Sequence, residues 1–138
     1  MPIQPEWQPK LGARFVDGAG SSCEFVVWSP LARTIDLHLL GATDRFVPMA
    51  QIDKGYFRAV VDGLPAGQRY RYRVNEGEEF PDPAGRWMPE GVSGASAVAA
   101  SDFAWTDGGW RGLDIDDYII YELHLGTFST EGTYVSAI

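Results

Sequence analysis

The sequence predicts an all-β fold arranged as a sandwich, with a different kind of domain opening near its carboxyl end. Three observations carry this. Short runs alternate apolar and polar residues with period two, as half-buried antiparallel strands do. Turn residues separate the runs at spacings near those of a sandwich, giving six or seven strands. No segment before residue 100 keeps helical periodicity over three turns.

Residues 13–16 form a first short strand. In 23–28, Cys23, Phe25 and Val27 share one face and Glu24, Val26 and Trp28 the other, and Ser29-Pro30 ends the run. Residues 34–40 turn Ile35, Leu37 and Leu39 inward and Thr34, Asp36 and His38 outward, and Gly41 closes them. A further strand spans 45–51. In 56–61, Phe57, Ala59 and Val61 come together, bounded by Gly55 and by Asp62-Gly63. The clearest alternation is in 69–74, where Arg69, Arg71 and Arg73 interleave with Tyr70, Tyr72 and Val74, before a polar turn over 75–79.

From 80 to 101 the texture changes to Pro81, Pro83, Gly85, Pro89, Gly91 and Gly94 among small residues, against a regular element. Phe80, Trp87 and Met88 argue equally against a solvated spacer, so this connector is expected to lie ordered against something apolar. After Asp107-Gly108-Gly109, residues 118–128 (YIIYELHLGTF) open with a nearly continuous apolar run, which reads as a strand buried on both faces in a parallel sheet. Such a strand needs a crossover and a second strand, and ten residues follow Phe128. The expected organisation is an extension over 1–12, the sandwich over 13–80, the connector over 81–112 and the start of a truncated second domain over 113–138.

Nineteen acidic and eleven basic side chains give a net charge of −8, which opposes binding to nucleic acid and to anionic membranes. A neutral small-molecule partner fits better. The single cysteine, Cys23, excludes an intramolecular disulfide and, with a Pro-rich polar start that lacks a signal-peptide pattern, points to the cytoplasm. No apolar run approaches the ~18 residues of a membrane span.

The segment Phe25-Val26-Val27-Trp28-Ser29-Pro30-Leu31-Ala32 resembles the Trp-Ala-Pro-x-Ala stretch of immunoglobulin-like, glycogen-binding-type modules in the α-amylase superfamily. Tyr121-Glu122-Leu123-His124-Leu125-Gly126 resembles the first strand of the catalytic (β/α)8 barrel in branching enzymes and trehalohydrolases. The run from Pro81 to Ser96 and that from Gly126 to Thr133 are similar to the maltooligosyltrehalose trehalohydrolase pattern, from which branching enzymes diverge. The resemblance covers about residues 12 to 138. It implies an immunoglobulin-like sandwich followed by the first strand of an incomplete barrel, in an enzyme that cleaves the α-1,4 bond next to the terminal trehalose of maltooligosyltrehalose. No metal or organic cofactor is implied.

Retaining glycoside hydrolysis needs two carboxyl groups about 5 Å apart. In this superfamily they lie at the carboxyl ends of later barrel strands, and none of the Asp-x-x-x-Asn-His, Gly-x-Arg-x-Asp or Asn-His-Asp segments occurs here. No catalytic residue is therefore assigned, and the chain alone is expected to be inactive. Asp114, Asp116 and Asp117 precede the expected strand and read as a solvated connector. Glu122 and His124 read as hydrogen-bonded barrel core, with His124 nearer the catalytic end and able to meet substrate. His38 reads as surface, Cys23 as a buried small apolar residue, and the two histidines make no metal-site spacing.

Sugar binding calls for exposed aromatic faces. The related modules use two tryptophans and a lysine; by strand matching one tryptophan falls in Thr43-Asp44-Arg45 and is lost, the second falls near Phe80, and the lysine corresponds to Arg71. The candidate carbohydrate-binding residues are Trp28, Arg71, Phe80, Trp87 and His124, with Trp28 equally readable as core and Tyr70 and Tyr72 read as core. Two roles stay open. A domain that braces the barrel and shapes its cleft would bind glucan little or not at all by itself; an autonomous starch- or glycogen-binding module would be retained on a glucan matrix. The equivalent domain of a branching enzyme is a further alternative. The expected partners are the missing barrel, an α-glucan or maltooligosyltrehalose, and a second copy meeting this one through 118–128.

Overall fold

The computed structural model describes residues 10–16, 22–100 and 104–138, and the chain divides into two compact units between residues 102 and 103. The first is a β-sandwich, as the alternation predicts. One sheet runs in the order β1 (Gly12–Phe15), β2 (Ser22–Trp28), β6 (Tyr56–Asp62), β5 (Ala50–Ile52). The other runs β4 (Arg45–Pro48), β3 (Ile35–Leu40), β7 (Arg69–Val74), β8 (Glu79–Phe80), with β9 (Ser96–Ala97) also paired to β7. All pairings are antiparallel.

The inward sets meet between the sheets. Cys23, Phe25 and Val27 of β2 and Phe57, Ala59 and Val61 of β6 share a core with Ile35, Leu37 and Leu39 of β3 and with Tyr70 and Tyr72 of β7. Phe25 and Tyr70 bridge the sheets edge to face, with centroids 5.0 Å apart. Burial lifts the Cys23 thiol to about 11, so it packs as an apolar residue rather than a nucleophile.

Turn chemistry sets the ends of two strands. Asn75 adopts a φ of 51° and its Oδ1 accepts the amides of Arg33 (2.7 Å) and Thr34 (3.1 Å), so β3 opens at Ile35 instead of Thr34. Gly55, with a φ of 81°, donates no side chain where a Cβ would lie 2.7 Å from Pro30 Cα, and its carbonyl accepts the Ser29 amide at 2.9 Å.

Two of the three outward residues of β2 are not solvated, while Trp28 is exposed. Glu24 and Val26 are buried; the Glu24 carboxylate takes hydrogen bonds from Arg14 of β1 and from Arg58 Nε of β6 (2.6 Å). Burial alone would raise this carboxyl, but Arg58 and Arg14 outweigh it and hold it below the usual carboxylate range. His38, expected at the surface, is also buried, because Phe46 covers it and Glu79 and Asp44 flank it.

The Pro/Gly-rich segment is ordered. Asp82 has no exposed surface; its carboxylate accepts the hydroxyls of Tyr70 (2.7 Å) and Tyr72 (3.3 Å) and the Ala84 amide (2.8 Å), and its own amide donates to Ser96 Oγ (2.9 Å). Burial raises the Asp82 carboxyl, which these donors only partly offset. Beyond Asp82, Met88 Sδ lies 3.3 Å from Ser96 Oγ, and the Trp87 carbonyl accepts the Ala97 amide at 2.9 Å.

The second unit departs from expectation. Residues 118–124 form no strand, and Leu125–Phe128 is a single helical turn, α1. Ile119, Ile120 and Tyr121 are exposed, and Glu122 and His124 are not in a barrel core: Glu122 is exposed, and the His124 ring meets Thr127 Oγ1 at 3.2 Å. The physical reason is that a strand's backbone groups need a paired neighbour, and the described residues of this unit offer none. Ile115–Asp117 is a 3-10 turn, which places Asp116 and Asp117 in solvent. No helix among the described residues is long and apolar enough to cross a membrane.

Candidate functional site

The structure separates residues that sequence matching had grouped. Along β7, Arg71 and Arg73 point to the outer face of their sheet while Tyr70 and Tyr72 point to the core. In the register of β8, Phe80 lies opposite Tyr72 and Glu79 opposite Arg73. Directly opposed residues share a face. Phe80 therefore leaves the sheet on the Tyr72 side, at the open edge of the sandwich, while Arg71 stands on the other side and donates to the Ser93 carbonyl at 3.2 Å.

The outer face around Arg71 is filled by its own side chains. His38 Nδ1 pairs with Glu79 Oε2 at 2.9 Å, and its ring stacks on Phe46 with centroids 4.1 Å apart and planes 18° from parallel. The Arg73 guanidinium sits 4.0 Å from the Phe46 centroid and bonds Asp36 Oδ2 at 2.8 Å. His38 Nε2 approaches Asp44 Oδ2 at 3.5 Å without a hydrogen bond. Sequence reasoning missed this cluster, although the cross-strand offset of Asp36 and His38 against Arg73 and Arg71 carried the signal. It missed the buried Asp82 as well, whose only mark is its place between two prolines. No group of three or more His, Cys, Asp or Glu side chains suited to a metal occurs among the described residues.

Two exposed aromatics, Trp28 and Phe80, meet at the edge instead. Trp28 ends β2 with 55% of its surface exposed, and its indole N–H donates to the Lys54 carbonyl at 3.1 Å, which fixes the ring. Phe80 is 47% exposed. Both line one groove of about 310 Å³, with buried Val27, Ile35 and Tyr72 beneath and Ser29, Pro81 and Pro83 beside them. No acid or base lines it; the Tyr72 hydroxyl, pushed far up by burial and by Asp82, is turned to that carboxylate. A second hollow of about 450 Å³ continues past Phe80 along Met88 and Val92. Trp87 lies elsewhere, its ring beside Gly67, and His124 belongs to the second unit.

The chain is 40% identical over 114 residues to the malto-oligosyltrehalose trehalohydrolase of Saccharolobus solfataricus, covering 83% of this chain and 20% of that protein. It is 32% identical over 120 residues to a 1,4-alpha-glucan branching enzyme of Deinococcus radiodurans, covering 76% and 17%. An alpha amylase-type protein of Salmonella typhimurium superposes with a TM-score of 0.80 at 29% identity, over 95% of this chain and 22% of that one. The chain thus spans about a fifth of the length of the proteins it matches. The model of carbohydrate-binding module 48, the isoamylase N-terminal domain, matches residues 10–89, which hold β1 to β8. On sequence, sandwich topology and superposition together, the chain belongs to the carbohydrate-binding module 48 family.

Proposed function

We propose that this chain is the amino-terminal, non-catalytic domain of a glycoside hydrolase that cleaves the α-1,4 bond next to the terminal trehalose of maltooligosyltrehalose, releasing trehalose. Its role is to brace the catalytic barrel, which begins within 113–138, and to shape one side of the substrate cleft. The observation that carries this is the gradient of similarity: 40% identity over 83% of the chain to a trehalohydrolase against 32% over 76% to a branching enzyme. The exposed apolar run of the second unit supports it, since such a surface suits a barrel strand that has neighbours. Trp28, Arg71, Phe80, Trp87 and His124 are the residues put forward for glucan contact, and the cytoplasm is the proposed compartment. The test is to express the longer reading frame that contains these residues and measure trehalose release from maltooligosyltrehalose. Branching of amylose in place of trehalose release would replace this reading with the branching-enzyme one, and strong retention of the isolated chain on a glucan matrix would favour an autonomous module.

A further inference from the structure

His38 is a buried ring with a carboxylate at each end. It is 6% exposed, and its Nε2 is the one buried side-chain nitrogen or oxygen among the described residues without a hydrogen bond. Nδ1 meets Glu79 Oε2 of β8 at 2.9 Å, while Nε2 faces Asp44 Oδ2 at 3.5 Å. An ionised carboxylate has no proton to give, so the Nδ1 contact places the ring proton on Nδ1. The neutral ring then turns a bare lone pair toward the Asp44 carboxylate, which is itself an acceptor. We propose that His38 is a proton-operated latch: a second proton, on Nε2, donates to Asp44 and fastens the loop over 41–44, which joins β3 to β4, against the outer face of the sheet. The proposal stands apart from the trehalohydrolase and glucan readings.

The surroundings hold the ring in place for both states. Phe46, directly opposite in β4, stacks on it with centroids 4.1 Å apart and planes 18° from parallel, so the ring does not turn away to find water. Arg71, opposite His38 in β7, is the cation nearest in register and donates to the Ser93 carbonyl. Arg73 lies over Phe46 and is paired with Asp36, and Arg69 is paired with Glu90. Arg45 opposes Leu39 and so leaves on the other face. Glu79 and Asp44 are thus the anions on the ring and Arg71 the cation across from it, and a second ring proton balances the cluster.

The loop is able to respond. Asp44 is half-exposed, and a charge-assisted bond needs its Oδ2 to close from 3.5 Å to about 2.8 Å. Its Oδ1 accepts the Gly41 amide at 3.3 Å. Fixing Oδ2 on the ring fixes Oδ1 on Gly41, so the Gly41 amide reports the state of the latch. Histidine is the side chain whose charge ordinarily changes between pH 5 and 8, which sets the interval to compare.

The experiment is NMR on the full 138-residue chain at pH 8 and pH 5, reading the ring nitrogen shifts of His38 and the solvent-exchange protection factor of the Gly41 amide. Protonation of Nε2 and an about threefold rise in Gly41 protection are expected, a modest gain because Asp44 is half-exposed. Asp44→Asn should keep the loop fastened at both pH values, because an amide donates to the bare Nε2 and accepts from the protonated one. Asp44→Ala should leave it unfastened at both. In each variant Gly41 protection no longer depends on pH. Amide dispersion reports folding, and if one variant fails to fold the other carries the comparison. His124, in the other unit, provides a separate histidine titration. A His38 ring that stays singly protonated down to pH 5 overturns the proposal. So does a ring that titrates while Gly41 protection stays constant, or a pH response of Gly41 that survives in Asp44→Ala, which assigns it to another group.

Discussion

Glu24 and Asp82 are both buried carboxyls, and their surroundings push them in opposite directions. Glu24 has two guanidinium partners and is held below the usual range. Asp82 has only neutral hydroxyl and amide donors and is raised. For Glu24 the linkage is direct: stabilisation is fully present above the ordinary carboxylate range and is lost as pH falls through the lowered folded value. Glu24→Gln should therefore cost about 2 kcal/mol at neutral pH, as expected for losing charged hydrogen bonds, and the gap to the parent chain should close in acid. Urea unfolding at several pH values checks this; a gap independent of pH would mean the loss is one of packing. For Asp82 the sign reverses, since a raised folded value favours the protonated form, and its contribution falls as pH rises from the ordinary range to the raised one.

Between the residue and the sandwich, the segment from Phe80 to Ser96 shows how a stretch without regular structure becomes rigid. Asp82 ties it to β7 through two tyrosine hydroxyls, and Ser96 Oγ ties it to its own far end. Limited proteolysis of the chain should spare this segment, while Asp82→Ala, which strands those donors, should destabilise the sandwich by about 3 kcal/mol and open the segment to cleavage. Cleavage at the same rate in both chains would show that Asp82 is not the tie. Strands β6 and β7 were legible because one buried face imposes alternation, and β2 and β3 because their inward sets recur every second residue although much of their outer face is also covered. The order of the Pro/Gly segment was legible from its aromatics. Its mechanism was not, because a buried aspartate looks like a surface one until its partners are known, and β8 and β9 are too short to show a period. Trp28 could be read either way, since the pattern gives its side of β2 but not that the strand ends there. The strand expected over 118–128 failed for a different reason: apolar composition marks what wants burial, and pairing decides whether a strand exists.

For the whole molecule, the two units face different problems. The sandwich buries a core of apolar side chains between its sheets, while the second unit leaves Ile119, Ile120, Tyr121 and Leu123 open. Each large apolar side chain left in water forgoes about 1.5–3 kcal/mol. Removing 113–138 should leave a folded sandwich that is more monomeric than the full chain by sedimentation at several concentrations. Unfolding of the truncated chain would instead mean that the tail completes the sandwich core. The tyrosine pair on Asp82 also sets the alkaline limit of the fold. Tyr70 and Tyr72 cannot ionise in place, because burial and the neighbouring carboxylate push both hydroxyls far above the ordinary tyrosine value. The unfolded chain would release both protons near pH ~10, so stability falls as pH climbs past that point. Tyrosinate absorbance from these two rings should therefore rise together with the loss of β-sheet circular dichroism, a spectroscopic titration that doubles as an unfolding curve.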